Sequence, residues 1–437
     1  MNQFPAELVD IILKHLDKRS LTSSSLVSRS WAELSRPYLF RQISCIVYPV
    51  VKLESNEDPR GGDAPAHRYK LETFLEFLRG TPRVQRHIHY LRILTPKSEG
   101  EEAQFHRPQF QTLAEVLKCL PCLKIFHTSI LPHPHLDSTI VPVVSHLDKL
   151  IVVFSPFDVH AIERLVQLLG LFDTIEHLDI DASFTAGMVG HKILDDAASV
   201  SATLSTRLHT LTVPFPSLLY ALRTLPQFSN LHILETGVID PCDVHMLSGV
   251  LKKVGPNLRS FKLSLHETMS IYHPIHNLSH LLPLDFSSST NLSRLSIHIP
   301  IYGSTSGGGN FPQPCFADKA YNLLCEWLPT LPTSISTITF ALRFVALVTN
   351  FTRIVTFFNV QPLHPMRSDW ANLDSVLERC CDRGIRIQFQ LSPHGVPEGD
   401  FEYITKALPG LFKKDGVRFI RGSELSEQVA YTSHQSL

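Results

Sequence analysis

Thr174-Ile175-Glu176-His177-Leu178-Asp179-Ile180-Asp181 is the stretch that decides the fold. Ile175, Leu178 and Ile180 follow the spacing apolar-x-x-apolar-x-apolar, and the residues from Leu178 onward alternate apolar and polar. A two-residue alternation is the period of a strand with one face buried and the other wet. The same spacing recurs at Ile88/Leu91/Ile93, Leu147/Leu150/Val152, Leu208/Leu211/Val213, Leu258/Phe261/Leu263, Leu292/Leu295/Ile297 and Ile335/Ile338/Phe340. Weaker copies stand at Leu123/Phe126, Leu231/Leu234 and Ile385/Ile387/Phe389. Between copies the apolar residues fall at helical spacing, from Leu71 to Leu78, Leu113 to Leu120, Ile162 to Leu169, Leu218 to Leu225 and Leu247 to Val254. A single strand and helix cannot bury its own apolar face. Stacked copies share one core, so the pattern predicts a repeat architecture.

Copies are spaced mostly by the high twenties to low thirties of residues, slightly more than the roughly 20–29 of leucine-rich repeats. The series resembles the irregular leucine-rich repeats of the ribonuclease-inhibitor kind and covers about three quarters of the chain. The Asn or Cys that usually follows the strand in that family is replaced by residues such as Ser183, Pro214 and His266. The resemblance therefore implies a degraded turn ladder and an irregular, partly opened arc. The competing architecture is an ordinary α/β domain with right-handed crossovers. Its strands, buried on both faces, would read as continuous apolar runs, whereas these alternate. A Gly/Ser/Pro loop at 303–314 and an apolar insertion at 344–365 interrupt the series.

Bulk chemistry narrows the classes of function. With 43% apolar and 19% charged residues the chain has the composition of a folded protein. A formal net charge of -1 supplies no overall field to draw it to nucleic acid or an anionic membrane. Phe340 to Val360, the longest apolar region, is broken by Arg343, Asn350 and Arg353, which argues against a membrane span. The start of the chain lacks the basic and apolar regions of a secretory signal, and its eight scattered Cys do not form a disulfide framework, so a cytoplasmic or nuclear location is expected.

The first forty-odd residues differ from the repeats. Leu8, Ile11, Ile12 and Leu16 fall on one helical face, with Pro5 suited to a first turn and Glu7 to the positive end of the helix dipole. A second helix is predicted after Leu21 or Ser23, carrying Leu26, Val27, Trp31 and Leu34 and interrupted at Pro37. The combination Phe4-Pro5-x-Glu7-Leu8-x-x-Ile11-Ile12-x-x-x-Leu16, then Ser25-Leu26-Val27-Ser28-Arg29-Ser30-Trp31, then Pro37-Tyr38-Leu39-Phe40-Arg41 resembles an F-box. Its likeness is to F-box proteins of mushroom-forming fungi, in which the box precedes degenerate leucine-rich repeats. Phe4 replaces the usual Leu, the segment Asp17 to Ser20 is short, and Ser24 stands where Cys is common; none of these removes an apolar anchor.

The resemblance implies an α/β chain, with a short F-box-like helical segment at 1–45, linker and first repeat elements at 46–83, and a degenerate leucine-rich-repeat solenoid at 84–425 with a curved, mainly parallel sheet and outer helices. A disordered tail is expected at 426–437. The box would dock on a Skp1-like adaptor and, through it, a cullin, with Phe4, Pro5, Leu8, Ile12, Leu16, Leu26, Val27 and Trp31 facing Skp1 or tying the helices together. Outward strand positions Asp179, Asp181, Thr210, Thr212, Lys262, Ser264, Ser296 and His298 are the candidates for holding a protein substrate. Their mixed polar chemistry suits a protein rather than nucleic acid. Three alternatives stay open: helices that merely cap the first repeat, a repeat scaffold acting outside any ubiquitin ligase, and an enzyme whose site, a deep pocket with perturbed acid/base groups, the sequence does not reveal.

Motifs for chemistry are near misses. No phosphate-cradling Gly-x-x-x-x-Gly-Lys-Ser/Thr loop occurs, His266-Glu267 meets Ser270 where a zinc ligand would be needed, and Thr305 stands where a nucleophile elbow needs Ser. His273, His276 and His280 lack an evident fourth ligand, and Cys119 and Cys122 flank the core position Leu120. No catalytic residue, metal site or cofactor is expected, and the chain reads as a binding protein rather than an enzyme.

Overall fold

The computed structural model describes residues 6–47, 71–94, 107–129, 141–154, 161–182, 206–213, 218–219, 222, 226–236, 241–264, 284–303, 324–346, 370–391, 405–406 and 408–421. These residues divide into two compact units, Met1–Thr212 with Thr224–Gln227, and Val213–Arg223 with Phe228–Leu437.

Unit 1 begins with three helices, α1 (Ala6–His15), α2 (Lys18–Ser25) and α3 (Arg29–Leu39). The sequence predicted two. Asp17 splits off α2 by accepting the Ser20 N–H at 2.7 Å, and Ser28 starts α3 by accepting the Trp31 N–H at 3.3 Å. Leu26 and Val27, expected inside one helix, form the turn between α2 and α3, closed by Leu26 N–H to Ser23 O at 3.1 Å and Val27 N–H to Ser24 O at 3.2 Å. Pro37 does not interrupt α3 but lies within it, in the last turns. There its missing N–H forfeits a single helical bond, to Glu33.

The strands of unit 1 are β1 (Gln42–Ile46), β2 (Tyr90–Leu94), β3 (Ile125–Thr128), β4 (Leu147–Phe154), β5 (Thr174–Ala182) and β6 (Arg207–Val213). Each pairs in parallel with the next in chain order. Between them lie α4 (Leu71–Gly80), α5 (Pro82–Gln85), α6 (Arg107–Lys118) and α7 (Ala161–Leu169). The register places Leu91, Phe126, Leu150, Leu178 and Leu211 in one row across the sheet, and all five are fully buried. Buried Leu113, Val116 and Leu117 of α6, and Leu165 and Leu168 of α7, supply the helix layer of the core.

Unit 2 repeats the plan. Strands β7 (Ile233–Thr236), β8 (Ser260–Ser264), β9 (Arg294–Gly303), β10 (Thr337–Ala346), β11 (Arg386–Leu391) and β12 (Val417–Arg421) pair in parallel in chain order. Helix α8 (Pro241–Val254) precedes β8, and α9 (Trp370–Asp382) precedes β11. Gly384 at φ +81° turns the chain out of α9, a left-handed conformation that favours glycine. Leu234, Phe261, Leu295, Ile338 and Ile387 form the buried row. At its end Phe389 lies 5.8 Å from Phe419 and 5.9 Å from Phe412, so aromatic rings finish the core.

In both units the apolar positions of the motif copies are buried and the positions that alternate with them are only partly so. One face of each sheet is covered by helices and the other is left to solvent, which is the half-buried strand the alternation predicted. Two strands had no motif copy to announce them, β1 and β12. The supposed insertion at 344–365 begins inside β10, where Phe344, Val345 and Ala346 pair with Ile301, Tyr302 and Gly303. The strand simply runs past its motif. The rest of that insertion, the loop residues 304–314, the turn residues Ser183, Pro214 and His266, and the tail 426–437 lie outside the described residues.

Among the described residues of unit 2 a turn ladder precedes the strands. Asn257 and Asn291 each precede the first apolar residue of a copy; their side-chain amides donate to Ser229 O at 2.6 Å and Pro256 O at 2.5 Å. Ser334 takes the same role through its hydroxyl, to Leu292 O at 2.8 Å. Each bond ties one copy to its predecessor.

Leu178→Ala is expected to cost about 2–5 kcal/mol in denaturant unfolding, the range for emptying a fully buried Leu site. Asn257→Ala should cost about 0.5–1.5 kcal/mol, one hydrogen bond at a solvent-exposed turn. A smaller loss for Leu178 than for Asn257 would contradict the assigned core.

Candidate partner-binding surfaces

Helix α1 carries two apolar faces, not one. Val9 and Leu13 are buried and meet buried Leu21 of α2, and Leu16, Trp31, Tyr38 and Leu39 pack around them. Ser35 of α3 is fully buried, and its hydroxyl donates to Trp31 O at 2.7 Å. The Tyr38 hydroxyl donates to Asp10 Oδ1 and is thereby held above the usual phenol range. Together these contacts close a small three-helix core.

Leu8, Ile11 and Ile12 occupy the other face of α1, with Ile11 55% exposed. The α2–α3 turn presents Leu26 at 81% and Val27 at 70% exposure, and Leu34 of α3 is also exposed. Six large apolar side chains therefore stay outside the core of three short helices. Such surface is unused by the fold and is a candidate partner site. Of the positions that the resemblance implied, Leu8, Ile12, Leu26 and Val27 lie on this exposed surface. Leu16 and Trp31 pack on the inner cluster, and Phe4 and Pro5 lie outside the described residues. Ile11 was not among the chosen residues, although its spacing with Leu8 and Ile12 was visible.

The solvent faces of the sheets form a second kind of surface. In unit 1, Ser44, Arg92, His127, Ile151, Asp179 and Thr212 stand in register on successive strands. Asp179 and Thr212 are thus brought together, whereas Thr210 pairs with His177 and Asp181 with Val153. Lys149 Nζ lies 2.8 Å from Asp179 Oδ2, and His177 Nε2 lies 2.9 Å from Thr212 Oγ1. In unit 2 the corresponding row is Glu235, Lys262, Ser296, Thr339, Gln388 and Arg418, and Ser264 pairs with His298. Lys262 Nζ lies 3.1 Å from Glu235 Oε2. Arg92, His127, Lys149, Glu235, Gln388 and Arg418 were not chosen from the sequence; applying the alternation to every copy marks the first five, whereas Arg418 lies on β12, which has no copy.

Among the described residues no group of three or more His, Cys, Asp or Glu is placed to hold a metal, and no helix is long and apolar enough to cross a membrane. His266, Glu267, His273, His276 and His280 lie outside the described residues. Cys119 and Cys122 are both free thiols.

Residues 1–46 match the protein family described as F-box-like, so the three helices and β1 constitute an F-box-like domain. No curated protein matches the chain.

His127 supplies a pH test of the unit 1 face. Burial first, then the neighbouring Arg92, holds its imidazole down at about 4, with Lys149 adding to the effect, Asp179 opposing it, and Tyr90 OH 3.3 Å from its Nδ1. The unfolded chain therefore binds the extra proton first as pH falls. Stability from this residue is present in full above the ordinary value of 6.5 and is lost as pH falls towards about 4. His127→Gln should lose less stability than the wild type across that window in urea unfolding; parallel curves would contradict the assigned environment.

Proposed function

We propose that this chain is the substrate-recognition adaptor of an SCF-type ubiquitin ligase. Its N-terminal helices bind a Skp1-like protein and through it a cullin, and its strand–helix copies, read as degenerate leucine-rich repeats of the kind found in mushroom-forming fungal F-box proteins, hold a protein substrate. On this reading the chain performs no bond chemistry itself and works in the cytoplasm or nucleus. It brings a substrate to the ubiquitin-transferring subunits, so its contribution is effective concentration rather than catalysis.

The observation that carries the proposal is the second apolar face of α1 together with the Leu26–Val27 turn, lying within the segment that matches the F-box-like family. A helix pair serving only as a cap would turn its large apolar residues towards the sheet. Here Leu8, Ile11, Ile12, Leu26 and Val27 remain exposed after the three-helix core has formed. Burying them against a partner supplies about 25 cal/mol per Å² removed from water, less the cost of association. The polar outer sheet faces, with ion pairs at Lys149–Asp179 and Lys262–Glu235, support a protein substrate whose side chains pair with them.

Full-length protein is expected to capture purified Skp1. Ile11→Asp with Val27→Asp should weaken capture by about a hundredfold, since two central anchors are lost. Its unfolding midpoint should stay near the wild type, because both side chains are exposed and contribute little to the fold. Wild-type capture by this double variant would overturn the assignment. Leu13→Asp, by contrast, should unfold α1–α3.

A further inference from the structure

On the outer sheet faces Lys149 pairs with Asp179 and Lys262 with Glu235. Three arginines of unit 2 have no such partner among the described residues. Arg294 on β9 and Arg386 on β11 flank Thr337 on β10, and Arg418 on β12 is in register with Gln388, two residues beyond Arg386. At the usual strand spacing and rise, Arg294 and Arg386 have Cα atoms roughly 10 Å apart, and Arg386 and Arg418 roughly 8 Å apart. All three are exposed. Among the described residues none of their guanidinium groups has a hydrogen-bond or ion-pair partner, whereas Lys149 and Lys262 are paired at 2.8 Å and 3.1 Å.

The inner neighbours leave no doubt about which way these side chains point. Leu295, Ile387 and Phe389 are buried, and Phe419 stacks on Phe389 and Phe412, so Arg294, Arg386 and Arg418 alternate onto the solvent side. Glu235 is the sole described carboxylate on the outward side of β7–β12, and Lys262 already engages it. Ser296, Thr339 and Gln388 lie between the arginines and add neutral hydrogen-bonding groups.

We propose that this outward face of β9–β12 binds an acidic polypeptide segment, whose carboxylates pair with Arg294, Arg386 and Arg418. The proposal rests on the adaptor reading and deepens it by naming the chemical class of the substrate. Planar guanidinium groups accept carboxylates bidentately, which fixes both position and orientation. A nucleic acid is disfavoured because the chain as a whole carries a formal charge of -1.

Fluorescence anisotropy of fluorescein-labelled hexaglutamate, titrated with the full-length protein, tests the proposal. Saturable binding that weakens with added salt is expected. The triple variant R294Q/R386Q/R418Q should lose about tenfold in affinity, as three exposed charge pairs would give. Arg83→Gln on α5 should change nothing. If the triple variant has a lowered unfolding midpoint, R294Q and R418Q alone should each show a partial loss. Absence of binding, an equal loss in Arg83→Gln, or tighter binding of a single-stranded DNA oligonucleotide of the same charge would each overturn the proposal. Skp1 capture is measured on the same preparations: capture retained without peptide binding overturns the acidic-segment proposal alone, and peptide binding without capture overturns the adaptor reading alone.

Discussion

Parallel pairing in chain order is the constraint on which both units depend. Because β4 pairs with β5 at Leu150 and Leu178, and β5 with β6 at Leu178 and Leu211, every inward residue of one copy lies beside an inward residue of the next. A slip of one residue would turn the whole row to solvent, so burial itself fixes the register. The polar row on the other side follows from the same pairing. Arg92, His127, Asp179 and Thr212 in unit 1, and Lys262, Ser296, Gln388 and Arg418 in unit 2, are aligned because their apolar neighbours are.

The N-terminal helices solve a different problem. They are too short to be stable on intrinsic propensity, so they need a core of their own. Val9, Leu13 and Leu21, with Trp31, Tyr38 and Leu39 around them, supply it. Lys18 Nζ also donates to Gln42 O at 3.0 Å, linking α2 to the first strand. What this small core does not use, chiefly Leu8, Ile11, Ile12, Leu26 and Val27, is what remains for a partner. The division between inward and outward apolar residues on one helix is the structural content of the F-box-like segment.

The strand positions were legible because the apolar-x-x-apolar-x-apolar spacing is dictated by burial, and all ten copies named from it fall on or at the start of strands. β1 and β12 escaped because Gln42–Ile46 and Val417–Arg421 lack the spaced leucines and gain their place from a neighbour. The helix boundary at Leu26–Ser28 escaped because its signal is a cap, Ser28, rather than a break in hydrophobicity. On α1 the spacing identified an apolar face, Leu8, Ile11 and Ile12, but periodicity alone could not say that Val9 and Leu13 define the buried one. The Asn257–Asn291 ladder was not anticipated, because the resemblance turned on the residues that follow the strands, which lie outside the described residues.

Hydrogen–deuterium exchange of the full-length protein, alone and with purified Skp1, tests most directly whether the outer face of α1–α3 is a partner site. The account predicts that Skp1 slows exchange in Ala6–Leu39 and leaves β7–β12 unchanged. Unaltered exchange in those helices under saturating Skp1, or protection confined to the strands, would contradict it.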